Sequence, residues 1–185
     1  MNQKGITLIE MVVAMAIAAV IGGIVFSVFL NMNRTVIDQN SVVDVQSAGR
    51  NAMGGMVRIL RETGLDPLGT ADAGVEIATA TKLRMTRDAN LNGVIENGLQ
   101  ERITFEFSGG SLRRGYDEGT ASESWTTMSD DVLNLTFTYL DAENDPVTDP
   151  FKVRVIIFNL TLRDDKSGGG NFTRSLTTTV QGRNL

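Results

Sequence analysis

An α+β fold is predicted, with one long N-terminal helix laid against an antiparallel β-sheet. Three observations predict it. Residues 6–30 form an apolar run of 25 residues interrupted by one charge, Glu10. From Asn31 to Thr63 there is no proline, and apolar or small residues recur at spacings of three and four. Beyond Gly64 the pattern changes to period two, with turn residues between the runs.

Composition narrows the class. Hydrophobic residues are 42% of the 185 and charged residues 21%, which suits a folded chain and is too apolar for a disordered one. The net charge of −5 repels phosphate backbones, and no basic stripe with interleaved aromatics offsets it, so nucleic acid is not an expected partner. There is no Cys and no His. Thiolate or imidazole zinc sites are excluded, as is any Cys or His nucleophile or base. Stability must come from the core, from assembly or from a hard cation rather than from disulfides.

As a helix, Ile6 to Leu30 would span ~37 Å at ~1.5 Å per residue, enough to cross a ~30 Å hydrocarbon core. A secretory signal peptide has a shorter apolar stretch of ~7–15 residues and a small-x-small cleavage site after it. Asn31-Met32-Asn33 offers no such site. A plain membrane anchor explains the length but not Glu10, since a carboxylate in an apolar helix costs on the order of 2–3 kcal/mol unless it snorkels or finds a partner.

The segment Lys4-Gly5-Ile6-Thr7-Leu8-Ile9-Glu10 accounts for both features. It resembles the prepilin cleavage and methylation motif of type IV pilins and pseudopilins. The resemblance implies that a dedicated membrane peptidase cuts between Gly5 and Ile6, ahead of the apolar run, and that Ile6 is then N-methylated. Glu10 would become the fifth residue of the mature chain. In the family, the carboxylate at that position pairs with the new terminal amine of its own chain or of a neighbour. This chain has Ile6 where the family usually has Phe. The chemistry is coherent: Gly5 leaves its carbonyl open to a protease, and Lys4 with the starting amine places positive charge on the cytoplasmic side. Pairing two desolvated charges also selects register, because a subunit at the wrong height leaves both unpaired.

The helix is expected to continue beyond the membrane. Val42, Val45, Gly49, Ala52, Met53, Met56 and Leu60 make an apolar stripe, with Arg58, Arg61 and Glu62 off it or at its edge. Thr63-Gly64 followed by Pro67 marks a stop. Gly54-Gly55 weakens the middle, and a kink or close packing on the sheet is expected there. Residues 50–64 resemble the helix end of J-type minor pseudopilins and their pilus counterparts, and also suit any amphipathic helix. Major pilins usually carry a proline in the membrane half of this helix. None occurs here between residues 1 and 66, which leans toward a minor subunit.

Six strands are expected, at Val75–Thr79, Lys82–Thr86, Glu101–Phe107, Val132–Leu140, Phe151–Arg163 and Phe172–Gln181. Ile103, Phe105 and Phe107 alternate with Thr104 and Glu106, and Leu133, Leu135, Phe137 and Tyr139 alternate with Asn134, Thr136 and Thr138. One apolar face of this kind packs on something apolar, here the helix stripe. Ser108 to Gly110, Asp141 to Pro146 and Asp164 to Gly170 read as turns, and Thr120 to Asp131 as a loop anchored by Trp125. The strand order and the ending Val180 to Leu185 again resemble the J-type subunits. The expected organisation is a leader at 1–5, a transmembrane helix at 6–30, its amphipathic continuation at 31–63 and a globular β-rich domain at 64–185.

Asp88-Ala89-Asn90-Leu91-Asn92-Gly93 fits the first half of a calcium loop, with oxygen side chains at alternate positions and a glycine at the sharp turn. Position twelve is Leu99, where an EF-hand needs a bidentate Glu; Glu96 or Glu101 could supply a ligand instead. The candidate ligands are Asp88, Asn90, Asn92 and Glu96, for a structural calcium ion. The other reading is a plain polar turn between two strands, for which Asn-Gly is itself a signal. No other cofactor is expected.

Catalysis is not expected. The acidic runs at Asp117-Glu118, Asp130-Asp131, Asp141 to Asp145 and Asp164-Asp165 read as solvated turns, and no nucleophile–base pair can be named. Gly168-Gly169-Gly170 lacks the Lys-Ser/Thr of a phosphate loop. The family resemblance implies a structural subunit of a type IV pilus or type II secretion filament, helping to start or cap it. It is held in the bacterial inner membrane by one span, with the globular domain outside the cytoplasm. Implied partners are the prepilin peptidase, other minor and major pilins or pseudopilins, and the inner-membrane assembly platform. A pilus-borne adhesin or a simple anchored extracytoplasmic binding protein shares the same N-terminus and stays open.

Overall fold

The computed structural model describes residues 7–164, 172–182 and 184. Helix α1 runs unbroken from Leu8 to Leu60, 53 residues or ~80 Å at ~1.5 Å per residue. The chain leaves the helix through a turn ending at Gly64, whose φ of 76° is a left-handed conformation that glycine adopts without strain. Eight strands follow among the described residues: β1 Val75–Ala78, β2 Lys82–Thr86, β3 Arg102–Ser108, β4 Ser111–Tyr116, β5 Ser124–Ser129, β6 Val132–Leu140, β7 Val155–Asp164 and β8 Phe172–Gln181. All neighbouring strands are antiparallel, β1 to β5 in one sheet and β6 to β8 in a second. The α+β fold is therefore as the residue pattern predicts, with two sheets in place of one.

The helix stripe is the seam between them. Ala52, Met53, Met56, Ile59 and Leu60 are buried, and they share one core with Leu83, Met85, Ile103 and Phe105 of the first sheet and Leu135, Phe158 and Leu160 of the second. Gly49 and Gly55 allow the close approach. A Cβ at Gly49 would lie 2.6 Å from Leu176 Cδ1 and 2.9 Å from Leu162 Cδ1, and one at Gly55 would lie 3.1 Å from Met128 Cε. No kink occurs at Gly54-Gly55: the helix continues, with Gly55 against β5 and Gly54 on the open side.

Several expectations are corrected. β4 and β5 were not expected. Arg113, Arg114 and Gly115 blur the alternation in β4, and Gly115 is buried because the Trp125 ring lies across it. The supposed loop at 120–131 thus contains strand β5, with Trp125 as its anchor. In β6 a bulge between Val132 and Asn134 shifts the register, so Val132 points inward and Leu133 outward, where strict alternation puts Leu133 in the core. β7 starts at Val155 rather than Phe151. Pro150 has no N–H to give a ladder, and the Asp149 side chain accepts the Phe151 N–H at 3.1 Å, so Pro150–Lys152 forms a short 3-10 turn and Phe151 is left exposed. β7 and β8 pair along their length as expected, while their connection at 165–171 lies outside the described residues.

The two helix glycines should respond oppositely to substitution. Gly54→Ala should raise the unfolding free energy by ~0.5–1 kcal/mol, since a methyl there meets nothing within 4 Å and alanine is the better helix former. Gly49→Leu should lower it by ~1–3 kcal/mol through overpacking against Leu162 and Leu176. Denaturant unfolding in detergent, followed by the single tryptophan, measures both. A destabilised Gly54→Ala would mean that its side of the helix is covered within the subunit.

Candidate functional site

The first half of α1 is one candidate. Among the described residues it is the one helix long and apolar enough to cross a membrane, and its apolar stretch is not buried within the subunit. Its side chains from Leu8 to Ile37 face outward with no intramolecular partner surface. Gly5 and Ile6, the expected cleavage pair, lie outside the described residues. Glu10 is described, and it has a local partner that was not foreseen. The Thr7 N–H and Oγ1–H both donate to Glu10 Oε2 at 2.9 Å, and the Glu10 N–H returns to Thr7 Oγ1 at 3.3 Å. This is a reciprocal capping box. It places the carboxylate at the positive end of the helix dipole and offsets part of its desolvation. The signal was present as Thr-x-x-Glu just ahead of an apolar run.

The second candidate is the loop between β2 and β3. Asp88 is fully buried, and its Oδ1 and Oδ2 accept the N–H groups of Asn92 at 3.1 Å and Gly93 at 2.7 Å. Glu101 is equally buried. Its Oε1 accepts from Ala89 and Asn90, at 3.0 and 3.3 Å, and its Oε2 from Glu96 at 2.8 Å. The Asn90 and Asn92 amides both donate to Glu96 Oε2, at 2.8 and 2.7 Å. So Asp88, Asn90, Asn92 and Glu96 do come together, and Glu101 closes the loop from inside. Leu99, at the position an EF-hand closes with Glu, is exposed. The loop is tied to residues 65–72 by Asp88 N–H to Leu65 O at 2.7 Å and by Thr70 Oγ1–H to Gly93 O at 2.9 Å.

The donor types suit a hard cation, but Glu96 Oε2 and Glu101 Oε1 each already accept two N–H donors, which occupies both of their lone pairs. The side-chain oxygens of Asp88, Asn90, Asn92 and Glu101 serve backbone N–H groups, and Glu96 serves the side-chain amides of Asn90 and Asn92. Among the described residues no three acidic side chains stand together as a ready metal cage.

The acidic pair Asp117-Glu118 is not the solvated turn that the sequence suggests. Asp117 is buried and accepts the Gly98 N–H at 2.9 Å. Glu118 bridges Lys82 and Arg84 across the outer face of the first sheet and accepts from Thr104 Oγ1 at 3.0 Å. Partial burial pushes its carboxyl up, but the hydrogen bonds from Arg84, Lys82 and Thr104 outweigh this and hold it at about 2. Cross-strand register explains the cluster, since Arg84 pairs with Thr104. A one-dimensional reading cannot see it.

Residues 1–26 match the family model described as the prokaryotic N-terminal methylation motif. No curated protein matches the chain. The match supports a protein of the type IV pilin-like or pseudopilin class, which is structural rather than catalytic. It implies processing by prepilin peptidase and assembly with other pilins. The exposed apolar half of α1 fits a membrane-anchored subunit that enters a filament.

Two outcomes follow for the globular part. Glu101→Ala should destabilise the fold by ~1–3 kcal/mol, because three N–H groups lose their acceptor, while Glu96→Ala, removing a more exposed group, should cost much less. Hydrogen exchange at Ala89, Asn90 and Glu96 should accelerate in the first variant. Glu118, depressed from 4.5 to about 2, adds stability that is fully present above pH 4.5 and fades as pH falls toward 2. Glu118→Gln should remove that part of the acid dependence, so the stability curves of the two proteins should converge as pH falls.

Proposed function

We propose that this chain is a minor pilin or pseudopilin, built into a type IV pilus or a type II secretion filament and helping to start or cap it. The observation that carries the reading is the N-terminal methylation motif at 1–26 on a helix whose apolar side chains find no partner within the subunit. The absence of proline before residue 67 supports the minor role. On this reading the chain waits in the inner membrane with its β-rich domain outside the cytoplasm. Prepilin peptidase cuts between Gly5 and Ile6 and Ile6 is N-methylated. The assembly platform then moves α1 from lipid into a bundle of sister helices, where close packing at Gly22 and Gly23 replaces contact with lipid. The Thr7–Glu10 pair keeps the carboxylate oriented until a terminal amine of the same or a neighbouring chain meets it.

A structural calcium ion in the Asp88 loop is the second proposal. Its support is the gathering of Asp88, Asn90, Asn92 and Glu96 in one turn. The ion would stiffen the loop and take no part in chemistry.

The intact mass and first residue of the protein from its host membrane test the main reading. A chain that begins with N-methylated Ile6 supports it, and an uncleaved Met1 or a start near residue 31 overturns it. Glu10→Ala should be processed normally yet fall out of the sheared filament fraction. Calcium added to chelated protein should raise Tm by a few degrees, and a flat titration would leave the buried carboxylates alone in charge of the loop.

A further inference from the structure

Gly54 is a glycine in mid-helix without an internal cause. Gly49 and Gly55 sit under Leu162, Leu176 and Met128, but nothing lies within 4 Å of a Cβ placed at Gly54. Its neighbours on the helix surface are Arg50, Arg58 and Arg61, all exposed. At 3.6 residues per turn these four positions fall within an arc of about 80°, opposite the buried stripe. The face forms an open depression of about 360 Å³ lined by Gly54, Val57, Arg58, Arg61 and Glu62. Glu62 does not neutralise it, being paired with Arg87.

The other cations of the domain are largely engaged. Lys82 and Arg84 hold Glu118, Arg102 holds Glu76, and Arg113 and Arg114 lie over Trp125 and Tyr116. Arg50, Arg58 and Arg61 form no ion pair among the described residues. A chain of net charge −5 thus presents three unpaired guanidinium groups around the one spot of its docked helix where backbone is bare.

We propose that this face seats an acidic loop of an adjacent filament subunit, with its carboxylates bridging Arg50, Arg58 and Arg61 and its backbone close against Gly54. Guanidinium forks bind carboxylates in paired geometry, and the missing side chain lets the partner come near enough to be held. Anionic lipid is a poor occupant, since Arg50 lies ~30 Å along the helix beyond Leu30 and the field of a headgroup layer decays within ~8 Å. Nucleic acid is disfavoured by the net charge. The inference rests on the filament-subunit reading above.

The test uses the full chain in its host. Three variants are compared with wild type: Arg50→Glu with Arg58→Glu and Arg61→Glu, the same three positions changed to Lys, and Gly54→Gln. Membrane level and Ile6 processing report folding, and the sheared filament fraction reports assembly. The Glu variant and Gly54→Gln should keep normal membrane levels and processing while their filament share drops at least about tenfold, and the Lys variant, which keeps the charge but loses the paired fork geometry, should fall between them and wild type. Wild-type incorporation of both the Glu variant and Gly54→Gln overturns the proposal while leaving the filament reading intact. A wild-type protein that is never cleaved or never enters filaments overturns that reading and this inference together.

Discussion

The packing of one helical stripe against the two sheets is the interaction on which the rest of the molecule depends. Ala52, Met53, Met56, Ile59 and Leu60 occupy the last turns of α1 and are nearly free of solvent. They fix the direction of a helix whose first half has nothing else to rest on. Because α1 is unbroken, the position of the β-domain is transmitted to Glu10, ~75 Å away along fifty residues at ~1.5 Å each. A hinge at Gly54-Gly55 would dissolve that relation. Gly55 lies against Met128 and the helical hydrogen bonding continues through the pair, so the helix acts as a strut.

Carboxylates hold the far end of the domain together in a chain without cysteine. Asp66 accepts the N–H groups of Gly69, Thr70, Ala71 and Asp72, between 2.8 and 3.3 Å. Asp88 and Glu101 do the same for the next loop, and Asp117 pins Gly98. Each buried charge is offset by backbone donors that would otherwise lack partners, so each loop and its acid depend on one another. The loops are also joined, through Asp88 N–H to Leu65 O and Thr70 to Gly93. Exposed loops around the helix exit therefore keep a defined shape without disulfides.

Much of this was legible in one dimension where the residue pattern is strong and local. The apolar run, the stripe from Val42 to Leu60 and the stop at Gly64 follow from period and composition. So do the strands with clean alternation, such as β2, β3 and β8. What failed was non-local. β4 is hidden by Arg113 and Arg114, whose aliphatic stems and cation–π contacts make them compatible with a sheet. β5 is polar because it is an edge. The bulge at Val132 cannot be deduced from alternation, since both registers place an apolar residue inward. Glu101 was seen only as a spare ligand, because its role as the loop's inner anchor depends on its folding back over Ala89 and Asn90. The Thr7–Glu10 box is local and legible as Thr-x-x-Glu directly ahead of the apolar run.

The glycines of α1 divide into two kinds, and the division says what the isolated subunit lacks. Gly49 and Gly55 are explained by side chains of the same chain. Gly22, Gly23 and Gly54 are not, because a methyl group at any of them would meet nothing. Glycine in a helix interior costs roughly 1 kcal/mol relative to alanine, so three unexplained ones are a standing loss of stability in the monomer. That loss makes physical sense if the missing contacts are intermolecular, since close backbone approach is the one thing glycine offers that alanine does not. Two of the three lie in the apolar half and one on the basic face of the docked half. The helix thus carries surfaces for two different surroundings, apolar small-residue packing at one end and charged contact at the other. Both surfaces point away from the subunit's own core, which is the arrangement expected of a part whose complete environment is made by its neighbours.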